Sequence, residues 1–194
     1  TQDPVHQVSI IPRGRAGGYT LSLPKEDKYY VSKTEMEEDI IALLGGRVAE
    51  KLVLNDISTG AANDLQRATS IARKMVTKYG MSDRLGPMTF GSEQEEVFIG
   101  RDLAQSRNFS EHVAAEIDEE IRRIIDDAYQ RCQELLEQNI DKLHNIAQAL
   151  LEKEKLDGPE FEAIFEGRTL EDKNKENAED KEKEVVLDKG NEKI

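Results

Sequence analysis

The chain has 194 residues, 37% of them hydrophobic and 35% charged, with a net charge of −13, enough for one ordinary domain with a sizeable core and a tail. The longest unbroken apolar run, Ile40 to Leu44, is far too short to cross a bilayer. The single cysteine, Cys132, excludes an internal disulfide and thiolate metal clusters. Residues 91–166 carry 20 acidic against 8 basic side chains. Nucleic-acid binding needs clustered Lys and Arg to release counterions, so this distribution describes a solvated acidic helical surface with no nucleic-acid partner.

The start, Thr1-Gln2-Asp3-Pro4, has neither an initiator methionine nor the basic-then-apolar pattern of a signal peptide, and reads as a point inside a longer protein. From Val5 to Leu23, β-branched and aromatic residues flank a glycine-rich turn, Arg13-Gly14-Arg15-Ala16-Gly17-Gly18. That pattern predicts a pair of short strands, one around Val8-Ser9-Ile10-Ile11 and one around Tyr19-Thr20-Leu21-Ser22-Leu23, the second closed by Pro24. The glycines precede no helix, so the cluster is a turn and not a phosphate loop.

Ser32 and Glu35 have capping-box spacing, and Met36, Ile40, Leu44, Val48 and Leu52 follow at intervals of four as one buried stripe. Gly45-Gly46 within it costs about 1 kcal/mol per glycine relative to alanine, and a close backbone contact is the expected compensation. Ser58-Thr59-Gly60 opens a second helix with apolar positions Ala61, Leu65, Ala68, Ala72, Met75, Val76 and Tyr79, stopping at Gly80. Its small residues allow another element to approach closely. Residues 80–100 read as loop, with a short hairpin around 88–90 and 97–99.

From Ser110 the helical period returns. Val113, Ile117, Ile121, Ile124, Ala128, Cys132 and Leu135 form one stripe, and Ile140, Leu143, Ala147, Leu150 and Leu151 another, with Asn139 near the turn between two antiparallel helices. Asp157-Gly158-Pro159 punctuates, and Glu160 to Phe165 is a last short helix. After Gly167 the chain is almost wholly charged and amide residues, which cannot repay the entropy of ordering. The expected organisation is a mainly α domain over 1–166 with a small β element near its beginning, then a disordered charged tail over 167–194.

The three histidines, His6, His112 and His144, are widely separated, and none begins an H-x-x-H or H-E-x-x-H pair, so all three are expected at the surface or its boundary. Cys132 falls on an apolar stripe as a small core residue. Two carboxylates stand out by position. Glu50 lies beside the stripe of its helix, one turn before that helix ends. Asp64 lies in the first turn of the next helix, where the helix dipole favours a carboxylate by roughly 0.3–1 kcal/mol and capping is a sufficient ordinary explanation.

The run Ser58-Thr59-Gly60-Ala61-Ala62-Asn63-Asp64-Leu65-Gln66-Arg67-Ala68-Thr69, followed by Ile71-Ala72-Arg73-Lys74-Met75-Val76, closely resembles that of FtsH-type ATP-dependent zinc metalloproteases. So do Val8-Ser9-Ile10-Ile11-Pro12-Arg13-Gly14, Gly18-Tyr19-Thr20-Leu21, Leu44-Gly45-Gly46-Arg47-Val48-Ala49-Glu50 and Gly80-Met81-Ser82-Asp83-Arg84-Leu85-Gly86-Pro87, in the family's order across residues 1–166. The resemblance implies a helical peptidase domain in which an H-E-x-x-H helix, upstream of residue 1, supplies two zinc ligands and the general base. By the same resemblance Asp64 is the third protein ligand to zinc and Glu50 a carboxylate that orients a ligand histidine. Catalytic zinc takes three N/O ligands and keeps a position for water. The segment Gly18, Tyr19, Thr20 and Leu21 would be the edge to which an unfolded polypeptide adds as a strand through backbone hydrogen bonds.

The resemblance further implies a parent that binds ATP and Mg²⁺ in a separate ATPase domain and assembles as a homo-hexamer. That parent would be anchored in the bacterial inner membrane through segments outside this chain, with the peptidase on the cytoplasmic face. The isolated chain, lacking the histidines, is then expected to be inert. The rival is a non-catalytic helical assembly module, and an H-E-x-x-H helix preceded by a P-loop ATPase in the upstream sequence would decide between them.

Overall fold

A computed structural model describes residues 3–12, 14, 17–24, 30–91 and 109–168. The fold is mainly helical with a small sheet, as its sequence periodicities require. Its elements are β1 (Val5–Ser9), β2 (Tyr19–Ser22), α1 (Lys33–Leu54), α2 (Ala62–Thr77), α3 (Glu111–Gln138), α4 (Ile140–Lys153), β3 (Lys155–Asp157) and α5 (Gly158–Phe165). They fall into two compact units, one holding α1, α2 and α3 and the other holding the strands with α4 and α5.

In the three-helix unit each helix packs on the other two. Helix α1 begins at a complete capping box: the Glu35 N–H donates to Ser32 Oγ at 3.2 Å, and the Ser32 N–H donates to Glu35 Oε2 at 2.8 Å. Its stripe is buried at Ile40, Leu44 and Val48, with Met36 and Leu52 packed at the margin. The fully buried Ala68 and Ala72 of α2 form its small-residue face, flanked by Met75 and Val76. Removing each large aliphatic side chain of this core from water stabilises the fold by about 1.5–3 kcal/mol.

Tyr79 departs from the expected stripe: α2 has ended by then, and the ring is 47% exposed. Among the described residues the expected contact at Gly45-Gly46 is absent. A Cβ built at either glycine meets nothing within 4 Å outside the helix's own nearby backbone, so the capping box and the stripe carry α1 through two unfavourable positions unaided.

Helix α3 buries Ile117, Ile121, Ile124, Ala128 and Cys132 as expected. Cys132 is a core residue whose thiol burial pushes up in pKa. Beyond it the stripe continues at Leu136, four residues on, and Leu135 is exposed. Between α2 and α3, residues 88–90 form no strand. Instead the Phe90 N–H donates to Thr77 O at 2.7 Å and the Phe90 ring meets Phe109 edge to face. The proposed partner, residues 97–99, lies outside the described residues.

The second unit has an antiparallel sheet in the order β2-β1-β3. The first strand runs earlier than its apolar residues suggest, leaving Ile10 and Ile11 beyond its end and exposed. Gly18 enters β2 against β1: a Cβ there would lie 2.6 Å from Ser9 O, a distance no side chain tolerates. Strand β3 has no periodicity of its own, since only Leu156 of its three residues is buried, packing with Leu150 and Ile164.

Helix α4 begins after Asn139. It turns Ile146, Ala149 and Leu150 inward, whereas Ala147 and Leu151 of the expected stripe are exposed. The face is rotated because Leu150 sits under β3 and α5, which a three-residue strand does not announce. Helix α5 starts at an Asp157–Glu160 capping box and stops at Gly167, whose N–H donates to Ile164 O while the Arg168 N–H donates to Ala163 O. Two residues of the expected tail thus belong to this helix stop. Residues 169–194 lie outside the described residues.

Candidate functional site

Glu50 and Asp64 both belong to the three-helix unit, on either side of the connection between α1 and α2. Helix α1 ends at Asn55, which takes the left-handed conformation, φ 50°, and reverses the chain. The returning segment reaches Glu50. The Ser58 hydroxyl donates to Glu50 Oε1 at 2.6 Å and the Ser58 N–H donates to Oε2 at 3.1 Å. The same hydroxyl accepts from the Gly60 N–H at 3.1 Å. These two bonds from Ser58, hydroxyl first, with the Arg47 charge adding to them, hold the Glu50 carboxyl below the usual glutamate range.

Helix α2 starts two residues after Gly60. Its N-cap is Ala61, which offers no side-chain cap, and Asp64 is the acidic residue of its first turn. The capping explanation for Asp64 is therefore not realised as a cap bond. Its carboxylate is 44% exposed and meets Arg67 at 3.8 Å, an outward pairing along the same helix. Exposed pairs of this kind contribute little to stability, so the carboxylate is open to another use.

Among the described residues no group of three or more His, Cys, Asp and Glu side chains is placed to hold a metal ion. His6 and His144 are exposed. His112 is 83% exposed and lies 4.0 Å from Glu116. Among the described residues no helix is long and apolar enough to cross a membrane.

In the other unit, Gly18 leads into β2, and Tyr19, Thr20 and Leu21 lie along it. Strand β2 is an edge strand whose neighbour in the sheet is β1. The Tyr19 hydroxyl donates to Gln7 Oε1 at 2.6 Å, fixing its ring across the pair, while Thr20 and Leu21 are exposed.

Sequence reasoning singled out Glu50 and Asp64 and read Ser58 only as part of the opening of the second helix, without its bonds to Glu50, which tie one carboxylate to the approach of the other. The available signal was a hydroxyl residue and a glycine two apart, in a loop returning from a helix that carries a carboxylate one turn before its end. Glu120, buried in α3, was passed over because it lies among nine acidic residues of one amphipathic helix and breaks no pattern.

The profile of peptidase family M41 matches residues 1–164. The chain is 70% identical over 168 residues to ATP-dependent zinc metalloprotease FtsH 1 of Thermoanaerobacter sp. (strain X514), covering 87% of this chain and 28% of that protein. It is 71% identical over 165 residues to ATP-dependent zinc metalloprotease FtsH of Caldicellulosiruptor bescii, covering 84% and 27%. To FtsH of Bacillus subtilis (strain 168) it is 50% identical over 173 residues, covering 89% and 27%. The chain thus spans about a quarter of the length of these curated relatives. The peptidase reading is favoured over the assembly module, and the chain belongs to peptidase family M41 as a portion of its peptidase domain.

Proposed function

We propose that this chain supplies one carboxylate ligand and its supporting scaffold to the zinc centre of an ATP-dependent metallopeptidase. Asp64 is the ligand. The observation that carries the reading is its placement: a half-exposed carboxylate in the first turn of α2, paired among the described residues with Arg67 of the same helix, beside a turn fixed by Glu50. One such oxygen donor suits zinc, which accepts Asp oxygen together with imidazole nitrogen. Two histidine ligands and the general base would come from an H-E-x-x-H helix preceding Thr1 in the longer protein.

When bound there, zinc would polarise the scissile carbonyl and lower the pKa of a water toward neutrality. Asp64 would lend negative charge and fix one position around the ion. Each Glu50 oxygen accepts one bond from Ser58 and retains a second lone pair, so the carboxylate can also accept an imidazole N–H and set that ring's tautomer. Strand β2, from Gly18 to Leu21, would receive an extended, unfolded polypeptide by strand addition, whose backbone bonds disregard side-chain identity. ATP and Mg²⁺ would act in a separate domain, in a homo-hexamer held at the cytoplasmic face of a bacterial membrane through segments outside these residues. No nucleic acid takes part.

The test is Asp64→Asn in the complete protein. Casein hydrolysis should fall by about 10²-fold or more and bound zinc should drop, because an amide oxygen is a weak donor without charge. ATP turnover should continue. Full proteolysis with full zinc would remove Asp64 from the centre.

A further inference from the structure

Helices α1 and α5 each begin at a complete capping box, whereas α2, like α4, begins without a side-chain cap. Helix α1 uses Ser32 with Glu35, and α5 uses Asp157 with Glu160. Helix α2 has Ala61 at its N-cap and no side-chain cap. Its approach is held from outside by the Glu50–Ser58 contact. From there the chain has little freedom: the Gly60 N–H is bound to Ser58 Oγ, the Ala62 N–H to Thr59 O at 3.1 Å, and the Leu65 N–H to Ala61 O at 2.9 Å. Gly60 has no room to spare, since a Cβ there would stand 3.2 Å from Ser58 Oγ and 3.9 Å from Glu50 Oε1.

We infer that Ser58 is a positioning residue for the metal centre: its hydroxyl couples the Glu50 carboxylate to the start of α2 and so sets where the Asp64 carboxylate stands. This rests on the reading of Asp64 as the zinc ligand. Ser58 touches neither metal nor substrate. It acts through a chain of hydrogen bonds, Gly60 N–H to Ser58 Oγ and Ser58 Oγ–H to Glu50 Oε1, in which its oxygen accepts at one end and donates at the other. Only a hydroxyl does both at this size; alanine does neither. Glu50 then serves two sides at once, fixing the helix that carries Asp64 and keeping lone pairs for a ligand histidine. Ser58 is exposed, so its loss need not disturb the Ile40–Leu44–Val48 core.

The test uses the complete protein carrying Ser58→Ala, Ser58→Thr, Gly60→Ala or Asp64→Asn. Zinc retention is measured against a chromophoric chelator, and the visible spectrum is recorded after loading with cobalt(II) as a probe of ligand geometry. Ser58→Ala should weaken zinc by about 10-fold, the scale of groups that orient metal ligands, and should shift the cobalt band. It should lower kcat for a short fluorogenic peptide and leave KM within about twofold, because substrate binding is not what the hydroxyl serves. Ser58→Thr, which keeps the hydroxyl, should restore most of the loss.

A merely structural turn residue would move the thermal midpoint and leave the cobalt spectrum and zinc constant as in the wild type. That result in Ser58→Ala, with Asp64→Asn losing zinc, overturns the positioning role and spares the ligand assignment. Wild-type zinc and activity in Asp64→Asn overturns the ligand assignment and this inference with it. Should Ser58→Ala fail to fold, Gly60→Ala carries the test, since its Cβ crowds the same hydroxyl: an unchanged zinc constant and cobalt spectrum there overturns the role of Ser58.

Discussion

The turns before and after α2 are built from the same parts and put them to different ends. Before the helix, the Ser58 hydroxyl donates to Glu50 and accepts from the Gly60 N–H. After it, the Ser82 hydroxyl donates to Glu120 Oε1 at 3.0 Å and accepts from the Leu85 N–H at 3.1 Å. Glu120, however, is 1% exposed and gripped by Arg123, whose Nε donates to Oε2 at 3.0 Å and whose Nη2 donates to Oε1 at 2.8 Å. The bonds from Arg123, foremost, and from Ser82 hold its carboxyl below the usual glutamate range against the cost of burial. Glu50 is at the surface, with Arg47 near, and its two bonds among the described residues both come from Ser58, one to each oxygen. A carboxylate gripped by a counter-ion, with two donors on one oxygen, is committed to holding a loop, whereas one with a single neutral donor on each oxygen keeps a lone pair on both and can hold a loop and serve a neighbour.

The sharpest way to break the comparison is to remove each carboxylate in turn. Glu120→Ala should destabilise the three-helix unit by about 3 kcal/mol, since it strips the buried Ser82 of its acceptor, leaves Arg123 with its bond to Asp127 but without the two to Glu120, and opens a gap under the turn. Urea unfolding followed by circular dichroism measures it. A loss no larger than that of Glu50→Gln would make the two turns equivalent. Because the folded-state pKa of Glu120 is depressed, its contribution is present above the unfolded value of about 4.3 and disappears as pH falls through the folded value. Stability of the wild type should therefore decline in acid more steeply than that of Glu120→Gln. Parallel acid limbs would show that Arg123 gives Glu120 no preference for its charged form.

The second expected effect is of the opposite kind. In the complete protein, Glu50→Gln should leave the thermal midpoint near the wild type and weaken zinc retention or activity by about 10- to 100-fold. Wild-type zinc affinity with wild-type turnover would reduce Glu50 to a loop anchor like Glu120.

What the sequence discloses follows the same divide. Helices α1, α2 and α3 were legible because an amphipathic stripe repeats many times: Ile40, Leu44 and Val48, or Ile117, Ile121 and Ile124, state one periodicity at every turn. Strand β3 was not, because a three-residue strand, Lys155–Asp157, contains no full period, and its pairing with β1 is settled by contacts nearly 150 residues distant in the chain. Its absence from the expectation also misplaced the buried face of α4, where Leu151 is exposed and Ile146 packs inward. At the site, the positions of Glu50 and Asp64 could be read from helix ends. Their link through Ser58 could not, since it depends on the left-handed Asn55 folding the chain back on itself, and asparagine in that conformation is permitted by its type without being required.

The smallest expected effect concerns α1 itself and separates stability from function along one helix. Gly46 lies one turn before Glu50, has open space around the position a Cβ would take, and is exposed. Nothing within the described residues therefore requires a glycine there, and Gly46→Ala should stabilise the chain by about 0.5–1 kcal/mol by reducing the freedom of the unfolded backbone and raising helix propensity. The thermal midpoint should rise by about 2–4 °C. Gly60→Ala, on the far side of Glu50, should fail to stabilise because its Cβ meets the Ser58 hydroxyl at 3.2 Å. If alanine at Gly46 instead destabilises the isolated chain, then α1 bends or is approached at that point by residues outside those described. If it stabilises the chain but impairs the complete protein, glycine is held there by the larger assembly, and helix α1 is being read from two sides: by its own core through Leu44 and Val48, and by a neighbour through the bare backbone at Gly46.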